Sequence, residues 1–388
     1  MLLSLVSASH YIVGIVNDAL DGTSANDHTV VLWNPANGID DNLTDIIGPN
    51  GNSNTDNIYM IDCELLNNPC EIGDELRIKV INNGDNYITS WINLSVTGAG
   101  YDLAPNLTLN SPPNVTLVIV DDSLQTPENE IDLTAATTKK VTCKAVVEEI
   151  DTVINQDQIK NASAEFFDNT LSFYGDSDDN NYHYTNNSCY INTSYGNENE
   201  SEIICSFDVW YYANSGEWNC TVKAFDNLSI EGSNSDTTSI NPLLSIGIET
   251  VVDFGIVDVN KVSSEAIINV TNFGNVKINL SLSGYAFEEG DGLAMNCTLG
   301  AIKNISIDYE KYNLTASNPG QLSLTEFENL YTNLTSNPVV EEFNLNYRQN
   351  DTVNKATNET YWRIYVPTGV AGTCQGNIVF AATQAAAG

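Results

Sequence analysis

Apolar side chains recur at alternate positions along this sequence in runs of six or seven residues, and they do not hold a helical spacing for long. The runs HYIVGIV (10–16), HTVVLW (28–33), ELRIKVI (75–81), WINLSV (91–96) and VTLVIV (115–120) are rich in β-branched and aromatic residues, and clusters of Asn, Gly, Asp and Pro bound them. Such side chains fit a pleated surface with one face buried, and the bounding residues supply the backbone geometries of turns. No segment keeps a 3.6-residue repeat over three turns. SLTEFENLYTNL (323–334) alone reads as a helix, or equally as a loop with one turn. The chain is expected to be all-β.

At 388 residues such a chain is too long for one sandwich, because a single core stops growing before that size. Two stretches read as joints. APNLTLNSPPN (104–114) combines Pro105, Pro112 and Pro113 with polar residues, as a stiff connector does. GSNSDTTSINP (232–242) is polar, after which LLSIGIETVVDFG opens a new apolar series. They divide the chain into an apolar segment, 1–9, and three units, 10–108, 114–241 and 243–388, each of a size that suits one β-sandwich. A hydrophobic content of 42% can give each unit a core.

Eighteen Asn-x-Ser/Thr triplets occur, at Asn42, Asn93, Asn106, Asn114, Asn161, Asn186, Asn192, Asn199, Asn219, Asn227, Asn269, Asn279, Asn296, Asn304, Asn313, Asn333, Asn350 and Asn358. With 52 Asn and 63 Ser plus Thr, chance placement gives roughly eight, so the excess points to N-glycan attachment and an extracellular protein. The eight cysteines fall as Cys63 and Cys70, then Cys143, Cys189, Cys205 and Cys220, then Cys297 and Cys374, an even number in each unit. Oxidation unit by unit yields that distribution, in a non-reducing compartment.

The net charge of −37, from 14 basic and 51 acidic residues, repels nucleic acid and anionic lipid headgroups, so neither is expected as a partner. No run of 18 apolar residues occurs, so no membrane span is expected. The final FAATQAAAG carries neither a basic tail nor a hydrophobic anchor.

An enzyme is not expected. No G-x-S-x-G, Walker loop, His-Glu-x-x-His or Rossmann glycine pattern occurs, and three histidines give little general-base capacity. Carboxylate pairs are uninformative among 51 acids. Zinc fails as well, because no C-x-x-C pair exists and His10, His28 and His183 are scattered. Calcium has candidate oxygen ligands in Asp18, Asp21 and Asp27, in Asp121 and Asp122, and in Asp176, Asp178 and Asp179, though none completes a known loop pattern. Solvated acidic loops explain the same residues, and no cofactor other than covalent glycans is assigned. Trp33, Trp91, Trp210, Trp218 and Trp362 could form a sugar platform, but most lie in alternating runs that place them in cores.

Three segments resemble known families. GIVNDALDGTSANDHTVVLW (14–33) resembles the opening of carboxypeptidase-regulatory or transthyretin-like sandwiches, which serve as structural extensions. VTCKAVV (141–147) and GEWNCTVKAFDN (216–227) resemble the B and F strands of an immunoglobulin-like sandwich, without the antibody-type tryptophan on strand C. VVDFGIVDVNKVSSEAIINVTNFGNVKINLSLSG (251–284) resembles the abnormal-spindle/Hydin class of immunoglobulin-like domains, and TYWRIYVPTGVAGTCQGNIVFAA (360–382) is similar to the last strands of large archaeal cell-surface proteins. These resemblances imply three tandem immunoglobulin-like β-sandwich domains that act as scaffold. The B and F strands imply a Cys143–Cys220 bridge across the sheets, leaving Cys189 with Cys205, although four cysteines allow two other connectivities. Cys63–Cys70 and Cys297–Cys374 are the expected pairs of the outer units.

The sum points to a structural subunit of an extracellular glycosylated filament or surface layer. A monomeric adhesive or ligand-binding ectodomain is the alternative, and a secreted glycoside hydrolase a third reading. The segment MLLSLVSASH divides the first two. Leu2, Leu3, Leu5 and Val6 make an apolar run that a soluble monomer has no reason to expose. Either it is a signal remnant cut near Ala8, or it is retained as a strand that completes the third unit of another copy, head to tail.

Overall fold

The computed structural model of the chain describes residues 8–122, 129–151, 159–351 and 356–386. It is all-β, and its sheets fall in three successive sets along the chain, each around its own core.

In the first set, Tyr11–Asn17 lies between Ile58–Asp62, antiparallel, and Tyr101–Leu103, parallel. The facing sheet runs Asn42–Ile46, Thr29–Trp33, Glu75–Ile81, Ile92–Ser95. Alternation decides the core: Leu76, Ile78 and Val80 are buried while Glu75 is exposed and Arg77 and Lys79 are partly so. On the inner face a Cβ at Gly14 would collide with the Tyr59 ring, so this strand needs glycine there. The stretch 104–114 is not the free connector expected. Leu107–Thr108 pairs parallel with Val16 and Asn17, and Leu107 and Leu109 enter the first core. Its Leu-Thr-Leu alternation outweighs the prolines, which sit at its two ends.

The second set packs Tyr190–Asn192, Glu200–Trp210, Thr138–Glu148, Asn114–Asp121 against Glu130–Ile131, Glu231–Ile240, Gly216–Phe225, Asn161–Asp168, His183–Asn186. Trp218, fully buried two residues before Cys220, packs on Phe166 with ring centroids 4.7 Å apart. The polar stretch 232–242 is not a joint. Together with Glu231, its residues to Ile240 form a ten-residue strand paired along its length with Gly216–Phe225. Its polar side chains reach across to the other sheet, where Asp236 Oδ2 accepts from Val120 N at 3.2 Å and Asn234 Nδ2 donates to Val115 O at 2.9 Å. They satisfy the edge strand of that sheet.

In the third set, Ile246–Ile248, Ala266–Asn272, Thr357–Val366, Glu310–Asn313, Thr332–Asn333 face Val339–Leu345, Ile278–Tyr285, Asn377–Gln384, and Asn304–Ser306, Leu293–Gly300, Val370–Gln375 form a smaller sheet. The ambiguous 323–334 stretch contains an α-helix, Leu324–Leu330, started by a reciprocal Ser323/Glu326 capping box. The Asp-Phe-Gly stretch belongs to no strand: 249–257 is irregular, with Val252 and Phe254 partly packed on the core and Ile256 fully exposed.

Candidate assembly site in the third unit

Asn377–Gln384 pairs on one side with Ile278–Tyr285, which aligns Phe380 with Leu282 and Ala382 with Leu280. Among the described residues no strand pairs with its other side. Ile378, Phe380 and Ala382 turn towards the core but remain partly exposed. Beneath them Trp362 is fully buried, 5.3 Å from the Phe380 ring, and its Nε1 donates to Thr360 Oγ1 at 2.8 Å. The strand is thus a free backbone edge over a half-covered apolar floor. Arg363 follows Trp362 in the strand and so lies on the opposite face of Thr357–Val366, away from that floor. Arg363, fully buried, donates to Ser263 O, Gly320 O and Tyr331 Oη, and Tyr331 in turn donates to Glu265. Burial works to raise the Glu265 pKa, but bonds from Ser317, Tyr331 and the Asn318 amide outweigh it and hold the carboxyl low. Glu310 is the opposite case. It is 1% exposed, its Oε1 has no partner among the described residues, and burial pushes its pKa up to about 8.

Leu2, Leu3, Leu5 and Val6 lie outside the described residues. The cysteines form Cys63–Cys70, Cys143–Cys220, Cys189–Cys205 and Cys297–Cys374. Cys143–Cys220 crosses between the two sheets of the second unit, whereas Cys297 and Cys374 sit opposite each other on paired strands of one small sheet. None of the eighteen sequon asparagines is buried: Asn42, Asn93, Asn106, Asn114, Asn161, Asn269, Asn304, Asn333 and Asn358 are exposed, and the rest are partly so. Asn199 and Asn219 are the most confined, each with a buried, unpartnered Oδ1.

The calcium candidates bond partners within the chain, some in their own turns and some distant. Asp18 Oδ1 accepts from Ala25 N and Asn57 Nδ2, which together lower its pKa. Asp21 accepts from Tyr87 Oη and Thr23 N, and Asp27 from Asn50 Nδ2. Asp179 Oδ1 accepts from the amides of Asn181, Tyr182 and His183, while Asp176 accepts from Ser172 and Phe173. Asp178 bonds His183 Nδ1, Asp122 pairs with Lys139, and Asp121 accepts from Asp122 N. Among the described residues no group of three or more His, Cys, Asp or Glu side chains is placed to hold a metal ion.

Each histidine sits against a carboxylate in a separate place: His10 2.8 Å from Asp102, His28 2.9 Å from Asp85, and His183 between Asp178 and Glu165. The tryptophans divide. Trp33, Trp218 and Trp362 are core residues, Trp210 stacks on Tyr212, and Trp91 is exposed beneath the Arg77 guanidinium. No helix among the described residues is long and apolar enough to cross a membrane.

No family model and no curated protein matches the sequence. Solved structures similar to this chain include BcpA, the major pilin subunit of Bacillus cereus, at 11% identity over 76% of this chain and 80% of that one, with a TM-score of 0.30. The T6 backbone pilin of Streptococcus pyogenes serotype M6 is 8% identical over 96% and 95%, at 0.31, and the major pilin SpaD of Corynebacterium diphtheriae 9% identical over 99% and 89%, at 0.28.

Proposed function

We propose that this chain is a structural subunit of an extracellular, N-glycosylated filament or surface layer, whose copies join head to tail by strand exchange. The three cores act as separate domains, 10–108, 114–241 and 243–388, strung as a scaffold, and residues 1–9 are the donor segment. The observation that carries the reading is the free edge of Asn377–Gln384 above a half-covered apolar floor. A strand entering there would bond the free backbone groups and cover Ile378, Phe380 and Ala382, with Leu2, Leu3, Leu5 and Val6 as the apolar side chains it brings. Burying an aliphatic side chain fully contributes about 1.5–3 kcal/mol, so several such contacts outweigh repulsion that salt screens. A head-to-tail contact of this kind is heterologous and extends without closing.

Glycans belong to the same reading, since all eighteen candidate asparagines reach solvent to some degree. Electron microscopy of the full chain, beside a chain lacking residues 1–9, tests the polymer. Filaments from the first and dispersed particles from the second are expected. Dispersed particles from both would favour a monomeric ectodomain. Peptide mass spectrometry of native material tests the sugars: most sequons modified is the expected result, with Asn199 and Asn219 the weakest sites.

A further inference from the structure

The sheet of the first unit that contains Tyr11–Asn17 is apolar on its solvent side. Ile12, Gly14 and Val16 enter the core, so Tyr11, Val13 and Ile15 point outward. Register sets Tyr11 beside Tyr101, and Val13 between Met60 and Leu103. Leu103 is 69% exposed, Tyr101 57%, Ile15 41% and Tyr11 38%. Tyr11–Asn17, Ile58–Asp62 and Tyr101–Leu103 contain no Lys, no Arg and no sequon, and the nearest sequon, the exposed Asn106, borders the face just before Leu107–Thr108. Of their two carboxylates, Asp102 is buried against His10, and Asp62 accepts from the amides of His10 and Glu64. The outer face of the opposite sheet also exposes Ile46 and Trp91, but it carries Arg77 and Lys79 and two sequons, Asn42 and Asn93.

The geometry points to this face as a lateral contact between copies of the chain, each copy presenting the same face to the other. A net charge of −37 makes most of the surface repel a second copy, and a face with no Lys or Arg, one outward carboxylate and an attachment site only at its Asn106 border is where two copies can approach. A cationic partner would be drawn to the acidic surface instead. A peptide adding as a strand would meet a sealed edge, because Met60 N donates to Asp45 at 2.8 Å and Asn52 Nδ2 donates to Met60 O at 3.1 Å. Two apolar sheet faces pack on each other as the halves of a sandwich do, and two-fold pairing uses one patch twice. Six side chains on three short strands offer roughly 400 Å² per copy, against about 800 Å² per partner in a stable complex. A single contact is therefore weak and needs repetition. Here the inference rests on the filament reading, since a polymer repeats the face once per subunit and avidity then accumulates.

The test uses the full chain. Leu103→Asp with Ile15→Asp puts charge on the face without entering the core, Leu103→Met is the conservative control, and Tyr101→Lys replaces the double variant should that one fail to fold. Wild-type filaments are expected to associate side by side, more so in 1 M than in 0.05 M NaCl as repulsion is screened. The charged variant should lower the bundled fraction at least ten-fold with filament length unchanged, and Leu103→Met should behave as wild type. Equal bundling by the charged variant, or wild-type filaments that stay single in 1 M NaCl, would overturn the proposal while leaving the filament reading intact. If no filament forms, that reading fails, and sedimentation equilibrium of the soluble chain at millimolar concentration decides instead. A dimer weakened by the charged variant supports the face, and a monomer throughout overturns it.

Discussion

The second and third units end their sheets in opposite ways. In the second, Asp236 and Asn234 from one sheet bond the edge strand of the other, and Cys143–Cys220 ties the two sheets through the core. In the third, the edge of Asn377–Gln384 has no strand beyond it among the described residues, and Cys297–Cys374 joins neighbours within one small sheet. One edge of the second unit, Asn114–Asp121, is thus bonded from the facing sheet, while Asn377–Gln384 in the third has no such partner among the described residues. What separates them is where polar side chains and the bridge are placed, since both are built from the same alternating strands.

The largest expected effect compares the two bridges. Both span 77 residues of sequence, so loop-closure entropy assigns each about 4.5 kcal/mol. Cys143 and Cys220 are fully buried between sheets, whereas Cys374 is partly exposed, so Cys143→Ala with Cys220→Ala should also leave a cavity. Denaturant melts of the two double variants should show the larger loss in the second unit. Equal losses would erase this part of the contrast.

Next in size is a pH effect confined to the third unit. Glu310 binds its proton more tightly folded than unfolded, with its pKa raised from 4.5 to about 8. Its contribution is therefore complete below about pH 4.5 and declines as pH rises towards 8. Thermal melts should find Glu310→Gln more stable than wild type at pH 8 by a few kcal/mol and nearly equal at pH 4. A parallel pH profile in the two proteins would count against this assignment.

Opening the bonded edge of the second unit comes third. Asp236→Ala removes the acceptor for Val120 N, and about 1–2 kcal/mol should go with it. Hydrogen exchange at Val120 should rise in that variant, and an unchanged rate would mean the seal is idle. Smallest is Ser323→Ala, which removes the helix cap in the third unit and should cost about 1 kcal/mol, without altering the free edge.

Much of this was legible in the sequence. Period-two runs located Tyr11–Asn17, Thr29–Trp33 and Glu75–Ile81 to within a residue or so, because burial on one face writes itself into alternation. Glu231–Ile240 escaped because its side chains serve another strand's backbone, so a ladder strand looked like a linker. Leu107–Thr108 escaped because flanking prolines outshone two core leucines. Glu310 left no trace, since one acid among many gains meaning only from its burial. The free edge was equally invisible: an unpaired strand has the same sequence pattern as a paired one.

Strand exchange is tested most directly by amide hydrogen exchange across Asn377–Gln384 in the soluble chain and in the polymer. Alternate amides of this strand face the free edge and should exchange rapidly in the soluble chain, then become protected on assembly. A chain lacking residues 1–9 should show neither assembly nor protection. Polymer that forms while those amides stay unprotected, or that forms without residues 1–9, would contradict the strand-exchange mechanism.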